Sequence, residues 1–194
     1  MALSLQITSS ISKELIARIV QMDHDAYPPE DQMTWERAEW IYGLIGDSLI
    51  LLKEDGRMIG FLSIYAVRQD LVPLAIASQK PIFDVESPEH LIPVISGPAD
   101  GYIHNIIMDP EYRGRGYRRY LYLGLRYWLD KHPGIGYLWA DAVSEHGQRA
   151  LKGLGLEPSP DLPRLWGGDM KSVLAALGRQ LKQGGDLEEV ILED

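Results

Sequence analysis

Met108-Asp109-Pro110-Glu111-Tyr112-Arg113-Gly114-Arg115-Gly116-Tyr117-Arg118-Arg119 is the stretch on which the fold turns. It follows Tyr102 to Met108, an apolar run that reads as a buried strand. It leads into Gly116 to His132, where Tyr117, Leu121, Leu125, Trp128 and Leu129 share a helical face. A strand therefore runs through a glycine- and arginine-rich turn directly into a helix. Helix N-termini leave several N–H groups unpaired and carry about half a positive charge. Glycine lets a ligand approach the backbone. Together these make an anion site suited to a diphosphate. Four of the nineteen basic residues (Arg113, Arg115, Arg118, Arg119) fall within seven positions of a chain whose net charge is −9, which argues for a local anionic ligand. Gly114-Arg115-Gly116 does not continue into G-x-G-x-x-G, and no G-K-[ST] is present. A glycine turn with solvated arginines is the competing reading.

The rest of the chain limits the function classes. Its 194 residues suit one domain, and 45% apolar with 24% charged residues is a globular composition. An excess of 28 acidic over 19 basic residues argues against a nucleic-acid coat or a membrane-surface binder, since both need a basic field. The absence of cysteine excludes disulfides, thiolate metal sites and a cysteine nucleophile. No apolar run approaches the roughly 18 residues of a membrane helix. The N-terminus lacks the pattern of a secretory signal, so a cytoplasmic protein is expected.

Leu3 to Ile7 alternates as a strand, Ser12 and Thr34 each precede a helical stripe, and Tyr27-Pro28-Pro29 must end the first helix. Ser48 to Lys53 and Met58 to Val67 form a hairpin around Asp55-Gly56. Residues 68–100, with five prolines, give no regular pattern and read as a long insertion. Tyr137 to Val143 reads as a strand, His146 to Leu154 as a short helix ended by Gly155, Leu162 to Met170 as holding a last strand, and Lys171 to Lys182 as a helix. An acidic, frayed tail is expected over 185–194, after one domain spanning 1–184. A hairpin followed by strand, helix, strand and helix implies an α/β or α+β sandwich.

With its Arg113-x-x-Gly116 and the flanking Asp109-Pro110-Glu111-Tyr112, the chain resembles the GNAT acetyltransferase superfamily. Tyr137 to Leu156 resembles that family's fifth strand and following helix, ending in Gly155-Leu156. The resemblance implies a mixed, mostly antiparallel twisted sheet with splayed central strands, flanked by helices. It implies acetyl-CoA, or another acyl-CoA, as co-substrate and no metal. The pantetheine would pair with the backbone of Ile106, Ile107 and Met108. The diphosphate would lie on Arg113, Gly114, Arg115, Gly116, Tyr117 and Arg118, and Ser144 would contact the pantetheine where the family often has Asn. Two departures stand out. Arg118 takes a slot for a small residue, and Leu151 takes the place of the tyrosine that usually protonates the leaving thiolate.

Transfer of acetyl from a thioester to an amine needs a base, because an alkylammonium has a pKa near about 10. His104 lies four residues before Met108, where the family often places Glu or His, and is the candidate base, with Tyr102 orienting it or carrying its proton. A strand histidine bonded within the sheet is the alternative. Tyr65, Tyr120, Tyr122 and Tyr127 are the candidate replacement acids. The other histidines have no metal-binding spacing. The carboxylates and aromatic of residues 23–31, with Asp25, Tyr27 and Glu30 foremost, would suit a cationic amine, or simply cap and solubilise the helix ends. The expectation is an N-acyltransferase acting on a primary amine of a small molecule or peptide, without nucleic-acid or membrane partners. A homodimer stands beside a monomer. The alternative is an inactive acyl-CoA-binding regulatory module of the same fold. A nucleic-acid module using the arginine turn is the third reading.

Overall fold

The computed structural model describes residues 2–8, 11–183 and 191–193. The chain opens with β1 (Leu3–Thr8) and α1 (Lys13–Ala26), whose first turn is capped by Ser12 Oγ accepting from Leu15 N at 3.2 Å. Thr34 caps α2 (Trp35–Leu44) in the same way, through Arg37 N at 3.2 Å. β2 (Leu49–Glu54) and β3 (Arg57–Val67) form the expected hairpin, with Asp55 and Gly56 both at positive φ (48° and 81°) as a tight turn requires.

Residues 68–100 are more ordered than their sequence suggests. They hold α3 (Leu71–Ser78) and α4 (Ile82–Val85) before β4 (Ala99–Met108). Leu71-Val72-Pro73-Leu74-Ala75-Ile76 is apolar almost all round, so α3 shows no stripe, and Pro73 sits in its first turn, where its missing N–H costs nothing. After β4 come α5 (Arg118–Lys131), β5 (Ile135–Asp141), α6 (Glu145–Gly153), β6 (Glu157–Pro158), β7 (Leu165–Asp169), α7 (Met170–Gln183) and β8 (Ile191–Glu193). β5 runs two residues earlier than its sequence suggests, because Ile135 already pairs with Ala99. Of the expected acidic tail, residues 185–190 and 194 lie outside the described residues, while 191–193 pair in parallel with β1.

The sheet order is β6-β7-β5-β4-β3-β2-β1-β8, antiparallel except for the β4/β5 and β1/β8 pairs. One face packs on α5, α6 and α7 through Leu121, Leu125, Trp128, Leu151, Leu154, Val173 and Leu177. The other packs on α1 to α4 through Ile16, Ile19, Ile41, Leu71, Val72 and Ile82. These are the layers expected of a mixed sheet flanked by helices.

Two irregularities in β4 create the site. First, β4 and β5 pair from Ala99/Ile135 only as far as Ile103/Ala140, so His104 to Met108 have no partner on that side and the strands splay. Second, the β3/β4 register skips a residue: Ile103 pairs with Ile64 and Asn105 with Ser63, leaving His104 as the extra residue of a bulge. A bulge re-aims side chains. Here His104 and Asn105, consecutive in sequence, both turn to the α1/α2 face, where Phe83 and Asp23 meet them.

Candidate active site

The turn after β4 has the features of an anion cradle. Gly114 and Gly116 hold φ of 78° and 80°, conformations that side chains rarely adopt. Among the described residues, no acceptor takes the amides of Gly114, Arg115, Gly116 or Arg118. Arg113 differs: its amide donates to Pro110 O at 3.3 Å and its Nε to Met108 O at 3.0 Å, so it braces the turn. The Arg115 guanidinium lies over the Tyr112 ring, and the Arg118 guanidinium over Tyr122, one helical turn on. Arg118 is thus directed along α5 rather than across its N-terminus. Tyr117 donates its hydroxyl to Glu54 at 3.2 Å. Ile106 and Met108 pack toward the α5 face and Ile107 toward α1, while their backbone lines the open edge of the splay. Across the gap, Ser144 Oγ accepts from Gly147 N at 3.1 Å and caps α6.

At the crotch of the splay the last paired residues are Ile103 and Ala140, so His104 and Asp141 stand on its two lips. Around them gathers a buried polar cluster. Tyr102 donates to Asp141 Oδ2 at 2.9 Å, and Phe83 N donates to the same oxygen at 3.1 Å. Tyr65 donates to Glu86 Oε2 at 2.8 Å. Glu86 Oε1 lies 3.9 Å from both His104 Nε2 and Arg37 Nε. The Phe83 ring stacks on His104 and also carries the Arg37 guanidinium, while Arg37 bonds Phe83 O. Among the described residues, Glu86 Oε1 and Asp141 Oδ1 are buried with no hydrogen-bond partner. An orphaned buried carboxylate oxygen is costly until a donor reaches it.

Burial tunes these groups. It raises Glu86 to about 7, against the pull of Arg37 and the Tyr65 hydroxyl. It raises Asp141 to about 6, despite the bonds from Phe83 and Tyr102. It lowers His104 to about 3, with Arg37 adding to the effect. The Tyr65 and Tyr102 hydroxyls are pushed up by burial and by their carboxylate neighbours.

Several expected residues are therefore where the chemistry would be, but in altered circumstances. His104 is at the crotch, yet its imidazole is far less basic than an ordinary histidine. Tyr102 serves Asp141 instead of His104. Of the tyrosines considered as acids, Tyr65 joins the cluster, whereas Tyr120 and Tyr122 pack on the α5 side of the sheet and Tyr127 is exposed. Leu151 is a core residue beneath α6. The acidic connection after α1 is split. Asp23 is a buried tie, accepting from Met33 N at 2.7 Å and Asn105 Nδ2 at 3.2 Å. Asp25 takes Gln21 Nε2 and lines a cavity of about 330 Å³ with Arg18, Arg57 and Asp109. Tyr27 caps α1, its hydroxyl raised by burial and by Asp23 and Asp31. Glu30 alone faces an open cavity of about 520 Å³ above Glu86, walled by Glu36, Arg37, Trp40 and Phe83. Glu86 and Asp141 were not singled out by sequence.

The Acetyltransferase (GNAT) family model matches residues 16–153, more than half of the chain. The chain belongs to this family. Its fold resembles the loading GNATL domain of CurA from Lyngbya majuscula (TM-score 0.59, 13% identity, 97% of this chain and 87% of that one). It also resembles a mosquito arylalkylamine N-acetyltransferase like 5b (0.56, 12%, 87% and 100%). A third likeness is the ribosomal-protein-S18-alanine N-acetyltransferase of Escherichia coli (0.51, 16%, 87% and 94%). No curated protein matches this GNAT chain by sequence. Among the described residues no helix is long and apolar enough to cross a membrane, and no cluster could hold a metal ion.

Proposed function

We propose that this GNAT protein is an acyl-CoA-dependent N-acyltransferase that moves acetyl from acetyl-CoA to a primary amine of a small molecule or peptide. The observation that carries the reading is the open edge of β4 past Ile103, continuous with the amides of Gly114, Arg115, Gly116 and Arg118, which no acceptor takes among the described residues. Pantetheine adds to that edge as a strand would, and its diphosphate meets the turn. The thioester then sits at the crotch between His104 and Asp141.

The amine comes from the α1/α2 face, past Glu30 and Phe83. An ammonium carries three donors, and among the described residues Glu86 Oε1 and Asp141 Oδ1 are the two buried carboxylate oxygens without one. Aromatic rings of Phe83, Tyr65 and Tyr102 surround them, a setting that favours a cation. Glu86, raised by burial to about 7, takes the proton, and the free amine attacks the carbonyl carbon. The attacking nitrogen gives its second proton to water as the C–S bond breaks with its electron pair on sulfur. A thiol of pKa about 8.5 can leave as thiolate and take its proton from water. Leu151 is therefore no obstacle to turnover.

The test is a joint measurement of acetyl-CoA affinity and amine-dependent thiol release across primary amines. Binding with turnover is expected. Binding without turnover on a broad panel would make the chain a regulatory acyl-CoA module, and no binding would remove both readings.

A further inference from the structure

We propose that His104 works as a neutral hydrogen-bond donor: a relay from Asp23 through Asn105 holds its proton on Nε2, and that N–H meets the oxyanion formed on the thioester carbonyl. The inference rests on the acyltransferase reading above but assigns this side chain a role opposite to that of a base.

The relay starts at Asp23, in the last turn of α1 and closed to solvent. An ionised carboxylate can only accept. Asn105 must therefore turn its amide nitrogen, not its oxygen, toward Asp23 Oδ2, at 3.2 Å. The same nitrogen lies 3.3 Å from His104 Nδ1. It has two hydrogens, one for each partner. His104 Nδ1 is then an acceptor, and a neutral imidazole that accepts at Nδ1 carries its hydrogen on Nε2. The bulge that turns His104 and Asn105 to one face is what lets two successive residues make this contact.

The ring stays neutral because burial and the Arg37 charge disfavour its cation. The titratable groups facing it come from every packed element: Asp23 of α1, Arg37 of α2, Tyr65 of β3, Glu86 after α4, Tyr102 of β4 and Asp141 of β5. Nε2 makes no hydrogen bond among the described residues, and Glu86 Oε1, at 3.9 Å, is beyond reach of one. This is an uncommitted donor on the lip of the splay. When the amine nitrogen attacks, the carbonyl π pair moves onto oxygen, and Nε2–H stabilises that charge while Glu86 holds the proton from nitrogen. The oxyanion then collapses and sulfur departs. His104 neither gains nor loses a proton in the cycle.

The first arm of the test needs no turnover. Histidine labelled at both ring nitrogens is read by magnetic resonance in the unliganded protein. The expected pattern is the Nε2–H tautomer with no titration near pH ~6.5, the ordinary histidine range. An Nδ1–H tautomer, or a titration there, overturns the proposal. The second arm compares His104→Gln, which keeps an N–H near the Nε2 position, with His104→Leu, which has none. The glutamine variant should stay within about tenfold of wild-type kcat, and leucine should lose about a hundredfold. Both should keep acetyl-CoA affinity and the acidic limb of the pH–rate profile. Equal losses with that limb abolished would make His104 the base and defeat the idea. If leucine prevents folding, the glutamine variant and the tautomer still decide. A wild-type protein that binds no acyl-CoA would sink the transferase reading alone, since the tautomer is measured without it.

Discussion

Glu86 Oε1 stands 3.9 Å from His104 Nε2, and both side chains are closed to solvent, at 0% and 2% exposure. The two titrate in opposite directions because burial penalises charge on each: the acid rises to about 7 and the imidazole falls to about 3. The group poised to exchange a proton near neutrality is thus the carboxylate. Glu86→Gln should lower kcat by about a hundredfold or more while sparing acetyl-CoA affinity. In the wild type, activity should climb with pH to half-maximum at about 7, and the variant should lack that step. A profile whose step survives in Glu86→Gln would place the base elsewhere.

The same shifts make stability depend on pH. Glu86, Asp141 and Asp23 all have raised folded pKa values, so the stability they contribute is complete below their ordinary range and declines as pH rises through about 6 to 7. His104 is depressed, so its contribution is lost as pH falls from about 6.5 toward 3. Glu86 rises from 4.5 to about 7, an ionisation cost of about 3 kcal/mol at high pH. Glu86→Gln should therefore raise Tm at pH ~8 and give up that gain near pH ~5, whereas His104→Gln should do the reverse. Melting curves of the three proteins at both pH values check the signs.

Gly116 shapes the turn proposed to hold the diphosphate. Its φ of 80° disfavours any side chain, although a Cβ there would meet nothing within 4 Å. Gly116→Asn should cost about 1 kcal/mol of stability for the backbone alone. Gly116→Asp adds a negative charge beside the uncommitted amides and should weaken acetyl-CoA by a further tenfold or more, at similar Tm. Calorimetric titration of both variants separates strain from charge. Equal affinities would mean that no phosphate lies at this turn.

What could be read in advance follows from where each signal resides. Helix starts at Ser12 and Thr34, the Asp55-Gly56 hairpin and the turn at Gly114 to Gly116 depend on local backbone chemistry, so the sequence displays them. His104 and Tyr102 were visible through their spacing from Met108. Glu86 was hidden because it follows α4, a single helical turn too short to show a face, inside a stretch with no periodicity. Asp141 lay unmarked inside the strand expected over Tyr137 to Val143, and only the folded chain brings Tyr102 and Phe83 N onto it. The bulge at His104 has no mark of its own: it arises from the mismatch between β3 and β4, and it decides which face His104 and Asn105 share. Asp23 read as one more solvated acid, since only the packing of α1 on β4 buries it.

The turn proposed to bind the diphosphate leads into α5, and α5 is seated by a glycine. A Cβ on Gly124 would come within 2.3 Å of Ile50 Cγ2 and 3.3 Å of Leu5 Cδ2, so the helix lies against β2 and β1 at a separation that alanine does not permit. Ile50 and Leu5 are core residues with no room to retreat. Gly124→Ala should accordingly cost about 1–3 kcal/mol despite the better helix propensity of alanine. The helix must lift or tilt to admit the methyl, and the amides of Gly114 to Arg118 move with its N-terminus. Acetyl-CoA affinity should then fall although residue 124 lies two turns from the cradle. Gly136→Ala is the control: it lies on exposed β5 backbone where a Cβ meets nothing within 4 Å, and should leave both Tm and affinity nearly unchanged. Unaltered binding in a destabilised Gly124→Ala protein would mean that the turn holds its shape independently of how α5 is docked.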